Sequence, residues 1–157
     1  MEPINIRRAT KAEVDVIADL VVRLKKLNSE FDPLFTVKED AKHRAVKYVS
    51  ESIGSEKTLL LSVTKGDKLI GFLRAELRER LFYEPSKEGH ITDMYVLPEH
   101  RRKQIGHEIL EQGTSQLVKM GAEIIVAELP SRNEIGVHFY TKRGFRRLIE
   151  TFAQVPQ

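Results

Sequence analysis

Cysteine is absent from this 157-residue chain. Disulfides, thiolate nucleophiles and cysteine-type zinc sites are therefore excluded. Missing too is any apolar run near the roughly 20 residues needed to cross a bilayer. The first residues, Met1-Glu2-Pro3-Ile4-Asn5, lack a basic segment followed by an apolar one, so they do not read as a signal peptide. These absences imply a cytoplasmic protein. No repeat, low-complexity stretch or linker divides the sequence, and residues 1–157 read as a single domain with its own core. Neither sign of charge dominates, since 26 Lys and Arg face 23 Asp and Glu for a net +3. A pI of about 9.1 suits an anionic ligand. It does not make a nucleic-acid surface, because no helix carries a long basic face and no basic–aromatic platform is present.

What is there reads as alternating strands and helices. Ile4 to Arg7 alternates as a short strand, and Thr10-Lys11-Ala12-Glu13 fits a capping box ahead of a helix that runs to about Asn28. Pro33 breaks the pattern. Thr36-Val37-Lys38-Glu39 fits a second capping box, with a helix behind it that stops at Gly54. Two strands follow, Thr58 to Val63 and Leu69 to about Leu81, joined by the tight turn Lys65-Gly66-Asp67-Lys68. Arg74, Glu76 and Arg78 share one face of the second strand and read as a watered face. His90 to Leu97 is a strand, Ile105 to Met120 a helix, and Ala122 to Leu129 a strand whose Ile-Ile-Val centre suggests burial on both faces. Asn133 can cap a last helix over 134–143, Gly144 can end it, and Phe145 to Phe152 reads as a closing strand.

Three features carry chemistry. The first is the basic run His100-Arg101-Arg102-Lys103-Gln104 opening into the helix at Ile105. The first N–H groups of a helix lack internal partners, and its dipole favours an anion there. Gly106, with no Cβ, lets a ligand approach the backbone. The second is one face of the last helix, where Asn133, Gly136 and Tyr140 fall at i, i+3 and i+7. A small gap between two polar residues suits an extended ligand; alternatively, Asn133 only caps and Tyr140 is a core edge. Ile135 and Phe139 are expected to pack on the sheet. The third is Glu128 at the carboxyl end of an apolar strand, where open α/β sheets place ligands. Desolvation there would raise its pKa toward that of a useful base; the plainer reading is a strand-end glutamate in water. His107 and Glu111, four apart, make a conceivable metal pair without a third ligand. His90 and His138 read as structural or minor lining groups.

Together these residues resemble the GNAT superfamily of acetyl-CoA-dependent N-acetyltransferases. The segment from Met94-Tyr95-Val96-Leu97-Pro98-Glu99 through Arg101 to Gly106 is similar to the family's strand, Pro-Glu and Arg-x-x-Gly-x-Gly signature. Asn133 to Phe145 looks like its Asn-x-x-Ala-x-x-Phe-Tyr-x-x-x-Gly-Phe pattern. Gln104 stands where the family's first glycine is usual, and Gly136 where alanine is usual; the second change reads as benign, whereas the first implies weaker or shifted coenzyme binding.

The resemblance implies an α/β (α+β) fold, a mixed, mostly antiparallel sheet of six to seven strands flanked by about four helices. It implies acetyl-CoA as acyl donor, no metal, no nucleic acid and no membrane, and it is compatible with a homodimer. Arg101, Arg102, Lys103, Gln104, Ile105 and Gly106 would cradle the pyrophosphate. Met94, Tyr95 and Val96 would offer backbone to the pantetheine arm, and Asn133, Gly136 and Tyr140 would border it. Glu128 would be the base and Tyr140 the acid in direct attack of an amine on the thioester. The acceptor amine would meet Glu30, Phe31, Asp32 and Phe35, with Tyr83 and Glu84 nearby, unless Phe31, Leu34 and Phe35 simply plug the core. A rival of another class is a non-catalytic module of this fold that binds coenzyme or a partner. Gln104 favours that rival; Tyr140, Asn133 and Glu128 count against it.

Overall fold

The structure, a computed structural model, describes residues 2–101 and 104–157. Its sheet has the order β1-β2-β3-β4-β5, from Ile4–Arg8, Thr58–Lys65, Lys68–Glu79, Lys87–Val96 and Ile124–Ala127. The helices are α1 (Val14–Ser29), α2 (Ala41–Gly54), α3 (Ile105–Lys119) and α4 (Glu134–Thr141). The first four strands are antiparallel. β5 joins β4 in parallel, because α3 carries the chain back across the sheet. Gly66 takes φ +60° in the two-residue β2–β3 turn, as the sequence predicts. Among the described residues no helix is long and apolar enough to cross a membrane.

Adjacent residues of β3 show what covers each face. Leu73 packs against α3 at Gly113, and Arg74 reaches α2, donating from Nε to Ser52 Oγ at 2.7 Å. α1 and α2 therefore cover one face and α3 the other, and Phe72, Ile17, Ile91, Ile109 and Leu117 fill the core between them. At the other end of the chain, Glu13 ties β1, the first turn and β2 together. It accepts from Arg7 at 2.8 Å, from the Thr10 N–H at 2.9 Å and from Ser62 Oγ at 2.9 Å. The bonds from Arg7 outweigh burial and, with the other two, hold its carboxyl down at about 2.

Several expectations change. The second capping box does not form, because the Thr36 hydroxyl turns back to the Pro33 carbonyl at 2.6 Å and α2 starts only at Ala41. β5 is half-buried rather than buried on both faces, since it lies at the sheet edge. The closing strand is absent: residues 142–157 have no regular structure, and Phe152 is 88% exposed. The described sheet thus has five strands, not six to seven.

Candidate active site

β4 and β5 run together only part of the way. Their last rung is the Glu128 N–H donating to the Ile91 carbonyl at 3.2 Å, after which the strands part. A β-bulge sits at this point, since Arg74 faces Asp93 while Ala75 faces Ile91, leaving Thr92 as the extra residue. Beyond it, the Leu97 N–H donates to Ile70 on β3 at 2.8 Å. By antiparallel alternation Tyr95 also turns its backbone to β3, opposite Phe72, whereas Met94 and Val96 turn theirs into the gap. The Val96 carbonyl already has a partner, Arg101 Nε at 2.7 Å, and the Arg101 guanidinium lies over the Tyr95 ring.

The gap leads to the start of α3. Gln104 adopts a left-handed conformation, φ +58° and ψ +17°, which puts the family's glycine preference in physical terms. Its side chain makes no cap hydrogen bond, and the helix ladder begins with Glu108 N–H to Gln104 O. The N–H groups of Ile105, Gly106 and His107 therefore have no acceptor within the helix. Gly106 serves packing as well as access: a Cβ there would lie 3.2 Å from Phe139 Cε1, so glycine lets α4 close on α3. Arg143 strengthens that contact, donating from Nε to His107 Nδ1 at 3.1 Å. Because His107 Nε2 lies 3.4 Å from Glu111, both of its ring nitrogens are engaged. Arg102 and Lys103 lie outside the described residues.

On α4, Asn133 is a cap, its Oδ1 accepting from the Gly136 N–H at 2.9 Å while its Nδ2 remains a donor. At Gly136 a Cβ would come within 2.5 Å of Leu129 Cδ1, the free end of a side chain that can turn aside. Tyr140 is half-buried, edge-on to Phe139 and Phe145 at 5.1 and 5.3 Å, and burial pushes its phenol up to about 12. Of the pair expected on the sheet, only Phe139 packs, and it packs on α3; Ile135 is 86% exposed.

Across the sheet lies a cleft of about 760 Å³ between α1, α2 and the ends of β4 and β5. Glu128 and Phe35 line it; Glu30, Phe31, Asp32, Tyr83 and Glu84 do not. Asp32 instead caps a short turn, accepting from the Leu34 N–H at 2.9 Å, and Tyr83 lies exposed with Arg80 over its ring. The Glu128 side chain is 61% exposed, so the desolvation expected from its place in the sequence is missing. Its partner is His90, whose Nε2 lies 2.8 Å from Glu128 Oε1. A carboxylate only accepts, so Nε2 carries the proton. With Nε2 protonated, Nδ1 of the neutral ring accepts from Arg78 at 3.0 Å, and only the doubly protonated ring donates to Glu88, 2.9 Å away.

Sequence reasoning missed the floor of this cleft. The Asp93 side chain is 0% exposed and accepts from Lys25 at 2.6 Å, from Thr92 at 2.9 Å and from the Tyr48 hydroxyl. Burial and the Asp93 carboxylate push the Tyr48 phenol above its ordinary range. Beside them Arg74 bonds Ser52, Thr92 and Glu76 and stacks on Tyr48. At Arg74 the supposed watered face of β3 is thus a covered polar floor, whereas Glu76 is half-buried and Arg78 stays exposed. One signal could have found it, since charges alternating on a central strand have helices above them.

Comparison with known proteins agrees with this geometry. The sequence profile described as acetyltransferase (GNAT) family matches residues 24–145. An uncharacterized N-acetyltransferase of Archaeoglobus fulgidus is 24% identical over 144 residues, covering 91% of this chain and 93% of the relative. A predicted acetyltransferase from Clostridium acetobutylicum, solved with acetyl-CoA, superposes with TM-score 0.80 at 15% identity, over 98% of this chain and 96% of that one. The aminoglycoside N-acetyltransferase AAC(6')-Iy in complex with CoA gives TM-score 0.80 at 13% identity, over 100% and 97%. The chain belongs to the acetyltransferase (GNAT) family and is an acetyl-CoA-dependent acyltransferase.

Proposed function

We propose that this protein transfers an acetyl group to a primary amine bound in the cleft between α1 and α2. The observation that carries the reading is the parting of β4 from β5: just beyond Thr92 and Asp93, which line the cleft, the Met94 backbone and the Val96 N–H turn away from β3 into the gap. These residues fit the acyl donor. The gap offers backbone donors for an extended arm, and the open N–H groups at Ile105, Gly106 and His107 suit phosphate. His100 Nδ1, buried and without a partner among the described residues, is a further polar group beside the turn. Acetyl-CoA supplies the thioester. Arg101 adds charge near the phosphates, and the Asn133 Nδ2 donor faces the arm. An N–H of the Met94–Val96 edge stabilises negative charge developing on the thioester oxygen.

Glu128 accepts the proton of the incoming ammonium through water, held in place by His90. Tyr140 meets the leaving thiol. With its phenol at about 12 and a thiol near 8.5, complete proton transfer would be uphill by about 5 kcal/mol. Tyr140 therefore acts as a hydrogen-bond donor to the developing thiolate and keeps its proton, and the thiolate takes its own from solvent. The test is release of free coenzyme thiol from acetyl-CoA with a panel of protein and small-molecule amines. Turnover with at least one amine is expected; no release with any of them, under conditions where acetyl-CoA binds, rejects the reading.

A further inference from the structure

The charges around the cleft do not suit a polycation. Five cationic side chains border it, Lys25, Lys38, Arg44, Arg74 and Arg78, against three carboxylates, Glu76, Asp93 and Glu128. All three carboxylates are engaged already. Glu76 takes Arg74 on one oxygen and Arg78 on the other, both at 2.8 Å. Asp93 is held by Lys25, Tyr48 and Thr92. Glu128 takes His90. Only the second oxygen of Glu128, the proposed base, is left for an ammonium, so a second ammonium on the acceptor would compete with the reacting one.

The surplus donors lie at the mouth. Arg44 gives only its Nε to Asp40, at 2.8 Å, which leaves both terminal nitrogens available. Lys38 precedes α2 on the same side of the cleft, and no lining carboxylate is left for it. Arg44 and Tyr48 are four apart on α2, hence on one face and about 6 Å apart along the axis. Tyr48 touches Asp93 at the floor, so Arg44 stands one turn nearer the opening. Between floor and mouth the wall is apolar, from Val21, Val37, Ala41 and Ala45.

We infer that the acceptor is an amino-carboxylate: a primary amine at the floor, an apolar spacer along the wall, and a carboxylate held at the mouth by Arg44 and Lys38. This rests on the acetyltransferase reading above. The test compares kcat/KM, by thiol release, for 6-aminohexanoate, hexylamine, 1,6-diaminohexane and the aminoglycoside kanamycin. The aminocarboxylate is expected to exceed hexylamine about tenfold, through KM, and the diamine to fall below it. The preference should shrink from about 50 to about 500 mM NaCl. In the double variant Arg44→Gln, Lys38→Gln the ratio of aminocarboxylate to hexylamine should fall to near one, with helicity and acetyl-CoA affinity confirming an intact fold. A preference for the diamine or kanamycin, or an unchanged ratio in the variant, overturns this inference alone. Release with none of these probes but with another amine of the panel overturns this inference alone, and release with no amine at all while acetyl-CoA binds overturns the acetyltransferase reading and this inference with it.

Discussion

Replacing Gln104 with glycine should stabilise the protein, because the residue is held at φ +58°. A left-handed conformation costs an L-residue with a Cβ roughly 1–2 kcal/mol. Glycine avoids that, but its freer unfolded chain costs about 0.4–1 kcal/mol. The difference leaves a net gain of about 0.7 kcal/mol. For a chain of 157 residues that is about a 2 °C rise in Tm. The Gln104 side chain makes no cap hydrogen bond, so little is lost with it. Gln104→Ala is the control: it removes the same amide and keeps the Cβ, and it should stay within about 0.5 kcal/mol of wild type. Scanning calorimetry of the three proteins decides. If Gln104→Gly proves no more stable than Gln104→Ala, the strain assigned to this turn does not exist.

Further outcomes follow from the site and the frame. Tyr140→Phe should lower kcat about 10²-fold with acetyl-CoA affinity unchanged by calorimetry; a kcat within a few-fold of wild type would remove Tyr140 from the leaving-group role. Because burial places that phenol at about 12, a pH–rate profile should show no alkaline fall due to it below about pH 11. Glu128→Gln should reduce kcat/KM most at low pH, where more of the amine is protonated, and an unchanged profile would point to another base. Glu13→Gln tests the β1–β2 tie. The folded carboxyl is depressed from its ordinary 4.5 to about 2, so its contribution is present above about 4.5 and lost as pH falls toward 2. The variant should be less stable by about 2 kcal/mol at pH 7 in urea unfolding. That deficit should close between about pH 4.5 and 2; a deficit independent of pH would contradict the assigned ion pair.

The reading of the chain as alternating elements succeeded where local chemistry decides. Gly66 made the hairpin and Asn133 the cap, and the step from a basic turn into α3 stood where the residues put it. It failed where a distant partner decides. Asp93 lies 68 residues from Lys25 and 45 from Tyr48, so no spacing rule could join them. Alternation of Arg74, Glu76 and Arg78 revealed that they share a face but not that α2 covers it. Nor could spacing show that Leu129, in the preceding loop, packs beside Gly136. Phe145 to Phe152 has a strand's pattern, yet it pairs with no strand among the described residues, although β5 leaves an edge open.

An uncovered strand edge at the rim of a sheet usually has to be guarded against joining other chains. In this protein the bare stretch of β4 begins where β5 leaves it, with Arg101 already closing the Val96 carbonyl. If the proposed acyl-donor arm pairs there, one extended chain satisfies the edge, which then needs neither lysine nor proline as sentry.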